Sequence, residues 1–233
     1  MLTQDQIDQF HSDGVIVVPD VLPAPVLSAV KNEYRSLLDA LDGDWHAKGL
    51  VPAPGEMDFW QKLLVSYDAG CDWFQPMDIS LPGGEIAPDT PFHFGPAVFD
   101  MITAPRLLDM VDCLIGPEIT STPIQHVRLK PPERLLNPDE IRAHVGGTDW
   151  HQDRAVALEE ADQTDMVTVW LAITDATVEN GCLQVIPNKA EALLPHCPQR
   201  QTAIADGFID KSAAVPLPVR AGGAVLFLSL IHI

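Results

Sequence analysis

Apolar positions along the chain change their period twice. Residues 3 to 14 open with Thr3-x-x-Gln6, a capping box that predicts a short helix with Ile7 and Phe10 on its apolar side and Gly14 as its stop. The four-residue run Val15 to Val18 predicts a buried strand. A Pro-marked start at residues 23 to 25 opens a second helix, expected to reach about Leu41. Its apolar positions Leu27, Val30, Tyr34, Leu37, Leu38 and Leu41 recur at helical spacing. Residues 42 to 98 carry no clear period and read as an irregular, lid-like insert with one short helix near Asp58 to Val65; Phe59, Trp60, Tyr67, Trp73 and Phe74 predict that it is packed. Helical spacing returns over 99 to 115 and stops at Gly116-Pro117. From there short strands are expected at 119–129, 149–156, 166–173, 182–187, 215–219 and 223–228, with a polar loop at 133–147 and a turn at Asn180-Gly181. The expected fold is mainly β with flanking α: a double-stranded β-helix, or cupin-like jelly-roll barrel, preceded by helices.

Composition narrows this without redirecting it. At 233 residues and 46% apolar, the chain suits one globular domain spanning 1–233. Its longest apolar stretches are strand-sized, and Met1-Leu-Thr-Gln-Asp-Gln6 lacks the basic-then-apolar pattern of a secretory signal. The formal net charge of −19 opposes a phosphate backbone, so nucleic acid is not expected as a partner, and the strand-sized apolar runs leave no membrane partner expected either. Cys71, Cys113, Cys182 and Cys197 show no C-x-x-C spacing and are too sparse for a disulfide scaffold, which points to a reduced, cytoplasmic protein.

The chemistry concentrates in Gly147-Thr-Asp-Trp-His-Gln-Asp-Arg154. On a strand, His151 and Asp153 leave from one face, supplying one imidazole and one carboxylate of a 2-His-1-carboxylate iron site. A bare H-x-D is common; its surroundings are not. Trp-His-Gln-Asp, the downstream strand "MVTVWLAITDATVENGCLQVIP" and its Asn-Gly-Cys-Leu turn resemble the phytanoyl-CoA dioxygenase family of Fe(II)/2-oxoglutarate oxygenases. The helix-to-strand opening "FHSDGVIVVP" resembles the start of the same family. The resemblance, running from about residue 2 to 227, implies the jelly-roll fold, with Fe(II), 2-oxoglutarate and O2 as cofactor and cosubstrates. It implies hydroxylation of a small organic molecule, coupled to decarboxylation of 2-oxoglutarate to succinate. Halogenating relatives replace the carboxylate by a small residue; Asp153 keeps it, which favours hydroxylation.

Other residues follow by alternation. His126, Arg128 and Lys130 share one face of the strand expected at 119–129, and Arg128 and Lys130 suit an anionic cosubstrate. Trp170 resembles a family residue lining the cosubstrate pocket, and reads equally as a core aromatic. Gln152 and Arg154 leave on the face opposite the two ligands, and His196 reads as a surface residue. Two departures from the family stand out. Pro187-Asn-Lys-Ala190 replaces its usual Pro-Gly-Ser-His. Near the end, alignment of Gly222 to Phe227 puts the distal His at position 233, where this chain has Ile; His232 is one residue out of register. The last six residues, Leu-Ser-Leu-Ile-His-Ile, resemble translated adapter sequence, so 228–233 are expected to be non-native and the C-terminal part of the barrel missing. Two other functions stay open: a non-catalytic jelly-roll binding protein that has lost iron, and a cupin-like iron enzyme that does not use 2-oxoglutarate.

Overall fold

The structure is a computed structural model and describes residues 1–53, 55–80, 86–137, 145–157, 164–187, 192–197, 203–231 and 233. The chain divides into two compact units: residues 1–27, 101–120 and 149–233 form the first, and 28–100 with 121–148 the second.

In the first unit, helix α1 (Gln4–Asp13) begins with the expected capping box: the Thr3 side chain accepts from Gln6 N, and the Gln6 side chain answers on the Thr3 backbone. It ends at Gly14, whose left-handed backbone (φ 76°) lets the chain reverse into strand β1 (Val15–Val18). Strands β2 (Val167–Leu171) and β5 (Ala224–Leu228) complete an antiparallel sheet in the order β1-β5-β2, with Val15 opposite Phe227 and Trp170 opposite Val225. β5 is central and its first four residues are fully buried, as a strand paired on both edges requires. The turn into β5 depends on Gly222 (φ 91°): a Cβ there would stand 2.9 Å from the Leu22 carbonyl oxygen. Strands β3 (Leu183–Val185) and β4 (Val215–Leu217) pair antiparallel as a second sheet.

Directly paired residues share a face. Val15, Phe227, Val225 and Trp170 therefore look to one side of the first sheet. They belong to one apolar cluster with Ala172, Val185, Val219, Leu183, Leu217, Ile231 and Ile233, which joins the two sheets. Helix α6 (Pro105–Ile115) packs on β2, and α1 packs on β1.

The second unit is mainly helical. It takes most of α2 (Ala24–Ala47), α3 (Phe59–Asp68), the single turn α4 (Phe74–Met77) and the start of α5 (Pro96–Ile102). Asp58 and Gln61 form a capping box at the head of α3. Of the five insert aromatics, Tyr67 and Trp73 are buried, while Trp60 is exposed.

Several elements differ from expectation. The chain is mixed helix and sheet rather than mainly β: α2 alone is longer than the five strands together. α2 continues to Ala47 because Gly43, with open space around it, does not break the helix. The 99–115 pattern is two helices, since Pro105 has no N–H to give and starts α6 at its first position. Residues 119–129 and 149–156 are not strands: 119–129 joins no ladder, and 149–156 has a single reciprocal pair, His151 with Ile233, before it turns at Asp153. No closed barrel forms among the described residues. The turn at 188–190 and His232 lie outside the described residues.

Candidate metal centre

The segment carrying His151 and Asp153 is held by cross-links. His151 N donates to Ile233 O (2.9 Å), and Ile233 N donates back to His151 O (3.0 Å). Such a reciprocal pair is one rung of an antiparallel ladder and puts both side chains on the same side. Ile233 packs on the cluster joining the two sheets, so His151 projects toward that interior. The backbone then turns: Asp153–Val156 is a 3-10 helix, closed by Ala155 N donating to Gln152 O (2.9 Å) and tied down by Arg154 N donating to Ser229 O (2.9 Å). Gln152 between them is extended (φ −119°, ψ 127°), so the two side chains leave on one side by alternation, and the turn begins only at Asp153.

His151 Nδ1 lies 2.8 Å from Asp149 O. A carbonyl only accepts, so Nδ1 carries the hydrogen and Nε2 turns its other face to the site. That Nε2 is 3.2 Å from Asp153 Oδ1, while Asp153 Oδ2 accepts from the Thr168 hydroxyl at 2.7 Å. Each group is thus fixed from behind, leaving one nitrogen and one oxygen facing each other, both part-exposed. Without a cation these are two lone-pair acceptors in repulsive contact. A proton on Nε2 or a metal ion removes the repulsion, and metal binding would displace that proton. A ring oriented by a carbonyl and a carboxylate oriented by a hydroxyl are the outer partners that metal ligands require. The donor set therefore fits Fe(II) as two adjacent ligands of a facial triad. Among the described residues no third His, Cys, Asp or Glu joins them.

Gln152, between the two, is fully buried. Its amide donates to Leu230 O (2.6 Å) and Ala192 O (3.4 Å) and accepts from Leu194 N (2.7 Å). His196 is half-buried rather than a surface residue: its Nδ1 donates to Leu194 O (2.7 Å) and its Nε2 accepts from Gln152 N (3.4 Å). Both ring nitrogens are engaged. Arg154 is buried. Trp170 shares the Thr168 face of β2 and packs, half-buried, against the inter-sheet cluster.

Arg128 and Lys130 belong to the second unit. Exposure still alternates along 125–130, with His126, Arg128 and Lys130 the exposed set, although no ladder forms. The Arg128 guanidinium lies 5.8 Å from the centre of the Phe74 ring, and Lys130 Nζ donates to Thr148 Oγ1 at 2.7 Å. Exposed along much of their length, both have heads crowded by protein atoms. That desolvation lowers both pKa values; Asp78 opposes it at Arg128, while at Lys130 Arg128 adds to it and Glu133 opposes it. His126 gives its Nδ1 hydrogen to Asp78 Oδ2 at 2.7 Å.

Sequence reasoning did not find Asp78, Thr168 or the bracing role of His196. Asp78 sits in the stretch without a period, where no motif marks it. Thr168 was findable, because it is two residues from Trp170 and so on the same face.

The phytanoyl-CoA dioxygenase (PhyH) family model matches residues 10–232. No curated protein matches the chain. Among solved structures, EvdO2 from Micromonospora carbonacea var. aurantiaca is similar over 100% of this chain and 83% of its own, at 20% identity and a TM-score of 0.54. The non-heme monooxygenase ThoJ in its apo form is similar over 98% and 69%, at 21% identity and 0.59. The epimerase SnoN, in complex with Fe3+, alpha ketoglutarate and nogalamycin RO, is similar over 98% and 75%, at 17% identity and 0.53. These likenesses carry the fold, and the family match carries the class: the chain belongs to the phytanoyl-CoA dioxygenase family and is an Fe(II)- and 2-oxoglutarate-dependent oxygenase.

Proposed function

We propose that the chain hydroxylates a small organic molecule, with His151 and Asp153 as two of the iron ligands. The observation that carries this is the facing pair, His151 Nε2 and Asp153 Oδ1 at 3.2 Å, each fixed from behind by Asp149 O and the Thr168 hydroxyl. When bound, iron with 2-oxoglutarate and O2 supplies the oxidising chemistry, and 2-oxoglutarate leaves as succinate and carbon dioxide. The protein's part is positional. Asp149 O holds the His151 ring with Nε2 inward, and Thr168 holds one carboxylate oxygen so that the other stays available.

Arg128 and Lys130 are assigned to the anionic cosubstrate, because both are cationic heads on the exposed face of 125–130. Trp170 is assigned to the cosubstrate pocket on the ground that it shares the Thr168 face of β2. The two antiparallel sheets and the cluster between them are read as walls of a double-stranded β-helix, with 42–98 as the substrate-selecting insert. Retention of Asp153 favours hydroxylation over halogenation. No described helix is long and apolar enough to cross a membrane, and the four cysteines form no disulfide; a reducing, cytoplasmic setting is the reading these favour.

The test is iron-dependent release of succinate from 2-oxoglutarate. Any succinate release should depend on iron, and Arg128→Glu or Lys130→Glu should raise the cosubstrate KM at nearly unchanged iron affinity. Succinate release undiminished in Asp153→Ala would overturn the assignment.

A further inference from the structure

We propose that Gln152 is a positioning residue for the metal centre: its buried side-chain amide, with His196 behind its backbone, sets where His151 and Asp153 stand. The proposal rests on the reading of those two residues as iron ligands and deepens it. Residues 149–154 form no strand, and the backbone bonds of His151 to Ile233 and of Arg154 to Ser229 leave Gln152 between them to be placed. It is placed by two neighbouring segments that meet at this one residue. The amide hydrogens of Gln152 go to Leu230 O (2.6 Å) and Ala192 O (3.4 Å), and its oxygen takes Leu194 N (2.7 Å). Its backbone N–H goes to His196 Nε2 (3.4 Å), and the His196 ring is itself held by Leu194 O (2.7 Å). The segments at 192–196 and 230 are thereby tied to the one residue that separates the two ligands.

The side chain is fully buried, and all three of its amide bonds go to backbone groups. Backbone partners cannot swing away when the side chain changes. A replacement of equal shape but no amide leaves two carbonyls and one N–H without partners, and the cheapest relief is movement of the turn. A turn that rotates by one residue's pleat carries His151 away from Asp149 O and Asp153 away from Thr168. Glu is equally informative. It retains an acceptor for Leu194 N but places carboxylate oxygen against the Leu230 and Ala192 carbonyls.

The experiment uses the full chain with Gln152→Met and Gln152→Glu, each checked for folding by circular dichroism. The first readout needs no metal: nitrogen NMR of the histidine rings shows whether His151 still carries its hydrogen on Nδ1. In the wild-type protein it does, held by Asp149 O. In folded Gln152→Met that signal should be lost to a mixture of ring states. The second readout is titration with Co(II) alone, followed by its visible absorption. Affinity should fall about ten- to a hundredfold, the loss typical of an outer partner of a metal ligand. A general loss of stability would move the melting curve and neither of these. An unchanged His151 signal with unchanged Co(II) affinity in folded Gln152→Met overturns the proposal. If the wild-type chain takes up no Co(II), the iron reading fails on its own, and the ring signal alone decides the role of Gln152. Should Gln152→Met fail to fold, His196→Asn removes only the outer brace and should shift the same two readouts in the same direction, less far; no shift overturns the proposal.

Discussion

Each unit of this protein contains a His–Asp pair, and the two are built oppositely. In the second unit His126 gives its Nδ1 hydrogen to Asp78 Oδ2 at 2.7 Å, and the Asp78 carboxylate also accepts from the backbone N–H groups of Ile79 (3.0 Å) and Val127 (3.3 Å). Donors meet acceptors at every point, and the carboxylate is buried to 2% exposure. In the first unit the His151 hydrogen is spent on a carbonyl behind it. What faces Asp153, at 3.2 Å and with the carboxylate 24% exposed, is a second acceptor. One contact is a donor on an acceptor; the other becomes attractive when Nε2 takes a proton or a metal ion. A short His–Asp distance therefore says little by itself, and the placement of the hydrogens is what separates the two arrangements.

Removing the carboxylate from each pair should break the comparison in opposite ways. Asp153→Ala is expected to abolish iron-dependent succinate release and to weaken Co(II) binding by more than about a hundredfold, beyond the loss of an outer partner, with the melting temperature nearly unchanged. Asp78→Ala should do the reverse. It strips three donors of a buried acceptor and should cost roughly 3–5 kcal/mol in urea unfolding, the scale for breaking a buried charged pair. Equal melting losses in the two variants would show that the pairs are not different in kind.

The open pair can also be sharpened by adding to it. Ile233 is the reciprocal backbone partner of His151, so its side chain leaves on the same side as the His151 ring. Ile233→His should therefore tighten Co(II) binding by at least about tenfold, the lower bound for a supporting contact being exceeded by a direct ligand. His232→Ala is the matched control, since the family alignment of Gly222 to Phe227 puts the expected ligand at 233 and not at 232. A loss of metal in His232→Ala, with no gain in Ile233→His, would reverse the register. Thr168→Val tests the support of Asp153 instead. It keeps the shape and removes the 2.7 Å hydroxyl bond, for an expected loss of about tenfold in metal affinity.

The legible parts of the chain were those where local chemistry decides structure. The Thr3–Gln6 capping box, the Gly14 stop, the Val15–Val18 strand and the strands around Trp170 and Phe227 all follow from short-range pattern. His151 and Asp153 were legible as a pair because Gln152 between them is extended and alternation carries both to one side, although the strand expected at 149–156 does not form. The extended segment at 119–129 shows why. Apolar–polar alternation predicts which residues share a face, and exposure along 125–130 obeys it. Whether that segment pairs depends on a distant partner that its own residues do not specify. Asp78 was illegible for a related reason, because its partner His126 is 48 residues away and no period links them.

The smallest effect concerns Tyr34, in the same unit as Asp78. Its ring is buried and packs edge-on to His93 at 5.6 Å, yet its hydroxyl has no hydrogen-bond partner among the described residues. Burial first, then the Asp78 and Glu33 carboxylates, push the phenol well above its usual range, so it stays neutral. A buried hydroxyl without a partner is a cost, and Tyr34→Phe should raise stability by up to about 1 kcal/mol at neutral pH. The sign with pH follows from linkage. Below about pH 10 the phenol is protonated in folded and unfolded chains alike and adds no slope. Above it the unfolded chain releases the proton and the folded one retains it, so wild-type stability falls as pH rises toward the elevated folded value. Urea unfolding at pH 8 and at pH 10.5 should therefore show the advantage of Tyr34→Phe growing with pH. A constant advantage would mean that the hydroxyl reaches water, and a destabilised Tyr34→Phe would mean that it has an acceptor after all. Either result would weaken the view of the Asp78 unit as a closed network in which the His126 pair needs nothing further, and so narrow its contrast with the open pair at His151.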